Sequence, residues 1–388
     1  MTDPKKQIIG GNNPKDLRSK YAHVIKELNM IYSSNRQETI TGIPKDLLKS
    51  ELIFFFVEGD NDRKIGKLLV QKTKTIIHAP QIPKKKNLSG DYTGGRDAVT
   101  WILDRKNLEK FSSEPLVKKI MNNRVIGLID LDFEKLSPDN PHQDCLNLYQ
   151  CSRYKNLFAT ETNDIETFFL CYGGFPIFLK RFSKNSTEEG NPAITRTFLY
   201  QAELLGDAFR AAKKMAIKFS HMDHLPLNKL LKIFRSQNPE ELIINEIIKE
   251  NAEKDPSDIR NFITLFHQLR QERELQNSKI YPQDIGNDNL FSVDALSGCR
   301  GHSLMPVLCS HSSYDVQMDF IQKTQKDSDT LFDKIFKDFK ENNSICQSRL
   351  YLSLRAWEQN NHVDFLKKCV NGKIIDFEKR IGSEASYN

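Results

Sequence analysis

The segment Phe54–Asp62, "FFFVEGDND", joins an apolar run to three carboxylates within five residues. The run "LIFFFV" is continuously apolar, which is typical of a strand that is buried on both faces of a sheet. The residues that follow, "DNDRKIGKLLVQK", have the apolar spacing of a helix. The segment therefore predicts a buried strand, a turn and a helix. Acidic residues after a strand are also common in solvated turns, so the acid alone does not indicate chemistry.

Short apolar strands alternate with helical segments through the first half of the chain. The segment "KTIIHAP" is strand-like, "RDAVTWILDRKNLEKF" is helical, and "RVIGLIDLDF" and "NLFATET" are further strand candidates. This alternation predicts an α/β fold with a parallel sheet that is covered by helices on both faces. From about residue 195 the spacing is mostly helical, up to and including the last segment, "VDFLKKCVNGKIIDFEKR".

The same pattern predicts three regions. They are an N-terminal helical extension over residues 1–48, an α/β catalytic domain over 49–180 and a large, mostly helical C-terminal appendage over 181–388. The segment 277–310 allows two interpretations: it belongs to the appendage, or it returns to the catalytic core.

Composition limits the function classes. Lys and Arg number 57 against 51 Asp and Glu, a formal charge of +6 that suits a polyanionic partner without establishing one. The seven cysteines form no CxxC pair, which argues against a disulfide framework or a zinc ribbon and favours a reducing cytoplasm. The start "MTDPKKQIIGGNN" lacks the apolar core of a secretory signal, and the run "FFLCYGGFPIFL" is too short and broken to span a bilayer. We therefore expect a cytoplasmic protein with no membrane role.

Acidic residues cluster at the predicted carboxyl ends of three strands. Glu58 follows the first strand, Asp130 and Asp132 end "LIDLD", and Glu161–Glu166 follow "NLFAT". Ligands gather at this edge of an open parallel sheet, and a period of two puts Asp130 and Asp132 on the same side of their strand. Carboxylates at close range repel one another unless a divalent cation neutralises them. Because the candidate ligands are oxygens without nearby His or Cys, Mg²⁺ or Mn²⁺ is the expected ion.

The motifs "VEGDND", "LIDLD" and "NDIE", in this order, resemble the TOPRIM domain of topoisomerases, primases and OLD-family nucleases. The loop "TGGRDAV" and the late "GCRGHSLMPVL" narrow the resemblance to TOPRIM nucleases that are partnered with ABC-type ATPases in PARIS-like antiphage systems. The resemblance covers about residues 45–180 by motif order and rests on "RGHSL" beyond them. It implies a TOPRIM-like sheet and a magnesium-dependent nuclease that cleaves RNA, for example tRNA, or DNA. It also implies a toxin effector of antiphage defence, controlled by an ATPase partner, and it leaves a homodimer open.

The resemblance also implies site residues. Glu58 is expected to act as general acid/base and to lie at the metal, and Asp130 and Asp132 are expected to be magnesium ligands. Asp62 and Glu166 are expected to complete the metal shell. The division suits phosphodiester cleavage, which needs neutralised phosphoryl oxygens and an activated water.

Arg96 is a further catalytic candidate because it follows Gly94 and Gly95 at a predicted helix start. Backbone N–H groups and a guanidinium in that position suit a phosphate, although two glycines also suit an ordinary turn.

Several of these residues have a structural alternative. Asp62 also suits the positive N-terminus of its helix, and Asp164 suits an N-cap. Weaker candidates are a lysine run in a loop, a histidine pair without a Cys or Glu partner, and the histidine of "RGHSL": Lys84–Lys86, His221, His224 and His302.

Two rival functions stay open. A TOPRIM enzyme of primase or topoisomerase type is disfavoured, because the sequence shows no zinc-binding module and no tyrosine that stands out as a nucleophile. A non-catalytic subunit that uses the fold for nucleic-acid binding or assembly is the rival from a different class.

Overall fold

The computed structural model describes the chain in separate stretches: residues 19–27, 52–83, 92–111, 124–130, 153–162, 164–184, 192–219, 227–280, 301–322, 328–339, 344–370 and 373–375. The chain divides into two compact units. We call them the sheet unit (Met1–Ile129, Asn147–Phe158 and Ala356–Leu366) and the helical unit (Asp130–Leu146, Ala159–Arg355 and Lys367–Asn388).

The elements of the first half are α1 (19–27), β1 (Ile53–Phe56), α2 (Asp60–Leu69), β2 (Thr75–His78), β3 (Ile82–Pro83), β4 (Tyr92–Thr93), α3 (Gly95–Leu103), α4 (Arg105–Lys110), β5 (Val125–Ile129) and β6 (Leu157–Ala159). Those that follow are α5 (Ile165–Phe169), a π-helical turn (Leu170–Gly174), α6 (Phe175–Arg181), α7 (Pro192–Lys214), α8 (Leu227–Phe234), α9 (Pro239–Glu250), α10 (Pro256–Ile280), α11 (Gly301–Ser310), α12 (Tyr314–Gln322), α13 (Ser328–Asp338), a 3₁₀ turn (Ser344–Gln347), α14 (Arg349–Asn360), β7 (Lys368–Val370) and β8 (Lys373–Ile375).

Four strands form one parallel sheet in the order β2-β1-β5-β6. The strand β1 lies between β2 and β5, with Phe54 paired to Ile76 on one side and to Val125 on the other. All four residues of β1 are buried, which explains why "IFFF" is continuously apolar. The predicted α/β fold with a parallel sheet flanked by helices is confirmed.

Helices cover both faces of this sheet. On one face α2 approaches closely at Gly66, where an added Cβ would lie 3.3 Å from the Phe55 ring. The other face carries Gly127 of β5, and an added Cβ there would lie 2.9 Å from Val99 Cγ1 and overlap Leu103 of α3. Because neighbouring residues of a strand point to opposite faces, the apolar run of β1 is buried by both layers.

The helix α1 packs on α3 through Tyr21. Its ring centroid lies 4.7 Å from that of Trp101 and 5.0 Å from that of Phe111, and its hydroxyl donates to the carbonyl of Ile102. Burial raises the pKa of the Tyr21 hydroxyl far above its ordinary value. The helix α1 therefore contributes Tyr21 and Val24 to the core of the sheet unit.

The start of β6 is fixed by Asn156, which has a φ of 54°. Its side-chain Nδ2 donates to the backbone carbonyl of Val125 in β5 (2.9 Å), and its side-chain Oδ1 accepts from the Trp357 indole N–H (3.0 Å). Asparagine tolerates the left-handed backbone better than most residues. One buried side chain therefore joins two strands and the late helix α14.

The helical unit has a buried ion network between α7 and α10. Asp207 is fully buried and accepts from Arg273 at 2.7 Å and from Arg270 at 3.2 Å, and Arg270 also contacts Glu240 of α9. The opposite charges satisfy one another, as buried charges require.

The last predicted helix is wrong in part, because its residues 368–370 and 373–375 form the antiparallel pair β7 and β8. The sequence holds a signal for this: "NG" at 371–372 is a strong hairpin dipeptide. The expectation about cysteines also needs correction, because Cys346 forms a disulfide with Cys369 of β7. These two cysteines are 23 residues apart, so no short motif marks them. Across the stretches described, no helix has the length and apolar character needed to cross a membrane.

Candidate functional site

Two predicted site residues follow neighbouring parallel strands. Glu58 comes two residues after the end of β1, and Asp130 comes directly after the end of β5. The two strands are paired in parallel, with Phe56 opposite Gly127, and both carboxylate residues are half-buried. Their positions along the strands agree with the expectation that both follow carboxyl ends at one edge of the sheet. Asp132 lies outside the described residues.

Asp62 has the structural role that the sequence allowed. It lies in the first turn of α2, it is 4% exposed, and its Oδ2 accepts from the backbone N–H of Gly59 at 3.0 Å. A carboxylate in this position also interacts favourably with the positive end of the helix. Asp62 therefore holds the turn that directly follows Glu58.

Arg96 is the second residue of α3 and is half-buried. Gly95 before it has a φ of +62°, which favours glycine, and Gly94 at the N-cap supplies no side-chain cap. The first N–H groups of a helix have no partner within the helix. Gly95 thus has a backbone reason, and the start of α3 remains suited to an anion.

The segment after β6 begins beside Asp130. The Thr160 hydroxyl donates to the carbonyl of Thr162 at 2.9 Å and lies 3.5 Å from Asp130 Oδ1. Glu161 is 3% exposed, and its Oε2 accepts from the N–H of Leu350 at 3.0 Å, in the first turn of α14. Glu161 thus serves as an acceptor at a helix start.

Asp164 is the N-cap of α5, which is the structural role that its sequence position suits. Its Oδ1 accepts from the N–H (2.9 Å) and the hydroxyl (2.6 Å) of Thr167. Its Oδ2 accepts from the N–H of Gly301, the first residue of α11. The carboxylate therefore joins two helix starts that are 137 residues apart in sequence.

Glu166 lies in the first turn of α5 and is 6% exposed. Gly301 packs against it: an added Cβ at position 301 would overlap Glu166 Cβ and lie 3.0 Å from its Oε2. The motif "RGHSL" therefore reaches the acidic segment through its glycine. The side chain of His302 lies outside the described residues.

The predicted metal site stays a prediction. In the described stretches, no group of three or more His, Cys, Asp or Glu side chains is arranged to hold a metal ion. Four of the five predicted ligands, Glu58, Asp62, Asp130 and Glu166, lie in these stretches, and Asp132 lies outside them.

A histidine cluster at the end of β2 was missed by the sequence reasoning. Glu27 of α1 lies between two rings, with Oε1 3.1 Å from His23 Nε2 and Oε2 3.2 Å from His78 Nε2. Burial lowers the pKa of His78 below its ordinary value, against the raising effect of Glu27. The four-residue spacing of His23 and Glu27 predicts that they lie on one face of a helix. No local pattern predicts the third member, His78, which is 51 residues from Glu27.

The remaining candidates, Lys84–Lys86, His221 and His224, lie outside the described residues. Comparisons of the chain with protein-family models, with curated proteins and with solved structures found no match.

Proposed function

We propose that the chain is a metal-dependent nuclease of the TOPRIM type. One observation carries the proposal: Glu58 and Asp130 follow the carboxyl ends of the neighbouring parallel strands β1 and β5. This is the edge at which open parallel sheets bind ligands. The sequence adds Asp132 two residues later, in the Asp-x-Asp order of the family that the chain resembles.

The donor chemistry fits Mg²⁺ or Mn²⁺. The candidate ligands are carboxylate oxygens, and Mg²⁺ is usually held by one or two carboxylates together with substrate phosphates rather than by a cage of protein ligands. When bound at such carboxylates, the ion neutralises charge on the phosphoryl oxygens and activates water. Asp130 and Asp132 would hold it, and Glu166 would complete the set.

The other residues serve substrate and proton transfer. Glu58, which is half-buried and lies two residues after the buried strand β1, exchanges a proton with the attacking or the leaving oxygen. Asp62 accepts a hydrogen bond from the backbone N–H of Gly59. This contact holds the turn that follows Glu58 and so helps to orient the Glu58 carboxylate. Arg96, at a glycine-initiated helix start, binds a phosphate oxygen of the substrate.

The substrate is a nucleic acid, RNA or DNA, and the formal charge of +6 favours such a polyanion. By the resemblance, the chain acts as the toxin of an antiphage system under the control of an ABC-type ATPase. Both RNA and DNA are therefore used as substrates in the test.

The test is cleavage by the purified full chain. End-labelled RNA and DNA are incubated with Mg²⁺ or Mn²⁺, and parallel samples contain EDTA. We expect cleavage of one substrate class with metal and none with chelator. Binding of nucleic acid without cleavage under any metal condition would instead favour the non-catalytic subunit, and full cleavage in EDTA would exclude the metal mechanism.

A further inference from the structure

Two segments of the sheet unit, 103–105 and 153–155, are joined at the amino-terminal edge of the parallel sheet. Asp104 pairs with Tyr154 in an isolated antiparallel bridge, and two backbone hydrogen bonds of 2.9 Å flank this pair. The second segment leads into β6, so the junction lies at the amino ends of the strands. Because the strands are parallel, this edge is opposite to the one that Glu58 follows.

The junction gathers positive charge. Residues 104–106 and 153–155 include one acidic residue and four basic ones, which we call the basic patch: Arg105, Lys106, Arg153 and Lys155. The first three are exposed and the last is half-buried. Burial and the nearby charge of Arg105 lower the pKa of Lys155 below its ordinary value. Like charges that are held together in this way repel one another, and a bound anion would neutralise them.

Arg153 is held as a flat platform within the patch. Its guanidinium carbon lies 4.9 Å from the centroid of the Tyr154 ring, and its Nε lies 3.3 Å from Asp104 Oδ2. Asp104 is itself fixed, because it caps α4 by accepting from the N–H of Lys106. The Arg153 side chain is nevertheless 60% exposed. Unstacked nucleic-acid bases stack on such guanidinium planes.

We infer that the basic patch binds a single-stranded nucleic acid. Arg105 and Lys155 contact phosphates, and a base stacks on the guanidinium of Arg153. A duplex fits less well, because its base faces are covered by neighbouring bases. The carboxylates of an acidic peptide would satisfy the charges but supply no planar group for Arg153. The inference goes beyond the proposed function, since the patch lies at the opposite edge of the sheet from Glu58 and needs no metal.

The experiment measures the binding of short labelled single strands of RNA and DNA to the full chain by fluorescence anisotropy in EDTA. The test variant is Arg105→Gln with Arg153→Gln. Its matched control, Lys67→Gln with Lys72→Gln, also removes two exposed positive charges from the sheet unit. We expect affinity to fall about tenfold or more in the test variant and to stay unchanged in the control. A loss in the RNA arm, the DNA arm or both supports the inference and identifies the strand.

The salt dependence of binding reports phosphate contacts directly. The slope of log affinity against log salt concentration should become shallower by about 0.7 for each phosphate contact that the test variant loses. If that variant does not fold, Lys106→Gln removes one exposed charge of the same patch. We then expect weaker binding and a slope that is shallower by about 0.7.

Arg153→Lys separates stacking from charge. Lysine keeps the positive charge but lacks the planar guanidinium. We expect weaker binding of single strands with an unchanged salt slope. Binding equal to that of the wild type would overturn the assignment of a base to Arg153.

Other results would overturn the inference as a whole. One is equal affinity of the test and control variants for both single strands. Another is binding of duplex DNA or polyglutamate as tightly as single strands, with the same loss in the test variant, which would make the patch a general polyanion or acidic-protein surface.

Failure of the inference and failure of the proposed function look different. Metal-dependent cleavage by the wild type, with unchanged single-strand binding in the test variant, overturns the patch and leaves the nuclease proposal intact. A wild-type chain that cuts nothing with any metal, but loses single-strand binding in the test variant, supports the patch and overturns the nuclease.

Discussion

Carboxylates in the acidic segments of this chain are used in two ways. Glu161 and Asp164 accept hydrogen bonds from the starts of α14 and α11, whereas Glu58 and Asp130 are half-buried beyond the ends of two strands. The sequence does not separate these uses. The partners of Glu161 and Asp164 lie 189 and 137 residues away, which is beyond the reach of any local pattern.

Asn156 gives a prediction at this scale. Asn156→Ala removes the hydrogen bonds to Val125 and Trp357 and places a Cβ residue without a polar side chain at a φ of 54°. We expect a loss of about 2–4 kcal/mol in the free energy of unfolding, from the left-handed backbone and the buried polar groups left behind. Urea unfolding measures it.

Asn156→Gly is the matched control, because glycine accepts the positive φ but makes neither side-chain hydrogen bond. It should lose less stability than Asn156→Ala. Equal stability of Asn156→Ala and wild type would show that the side chain does not join β5 to α14.

At the scale of elements, periodicity predicted the buried strands of the sheet but assigned the last hairpin to a helix. The buried strands β1 and β5 were predicted because continuous apolar runs suit a sheet covered on both faces. The strands β7 and β8 were missed because "VDFLKKCVNGKIIDFEKR" also fits helical spacing, and the hairpin dipeptide "NG" was given no weight. The disulfide was missed because the partner of Cys346, Cys369, lies in the unpredicted strand β7, 23 residues away in sequence.

The junction of α11 and α7 gives a prediction about pH. His311 directly follows α11, and its Nε2 lies 2.7 Å from Gln201 Oε1. Burial lowers the pKa of His311 from 6.5 to about 4, and the charge of Lys184 adds to the effect. Between these two pKa values, the unfolded chain binds a proton at His311 that the folded chain does not. The contribution of His311 to the free energy of unfolding is therefore complete above pH 6.5 and is lost as the pH falls toward 4.

The measurement is urea unfolding of wild type and His311→Gln at pH 7 and pH 5. We expect the wild type to lose about 2 kcal/mol more than the variant between the two pH values, because Gln does not titrate. The same pH dependence in both proteins would contradict a neutral, half-buried His311.

At the scale of the whole molecule, each unit is assembled from distant parts of the chain. The sheet unit includes Ala356–Leu366, and Trp357 from that stretch donates to Asn156 beside the sheet. A fragment cut at the predicted boundary of residue 180 would lack this stretch. Experiments on the proposed site therefore need the full chain.

The most direct test of the proposed nuclease compares Glu58→Gln, Asp130→Asn and Asp60→Asn in the full chain, with Mn²⁺ titration and a cleavage assay on each. Asp60 is the control, because it belongs to the same acidic segment and its side chain is 81% exposed. Glu58→Gln should lower cleavage by about 10²-fold or more and largely spare Mn²⁺ binding, because it removes the proton acceptor and keeps the shape. Asp130→Asn should lower Mn²⁺ affinity and cleavage together, and Asp60→Asn should change neither. If Glu58→Gln and Asp130→Asn both bind Mn²⁺ and cut like the wild type, the acids after β1 and β5 are solvated turn residues and the proposed nuclease site is wrong.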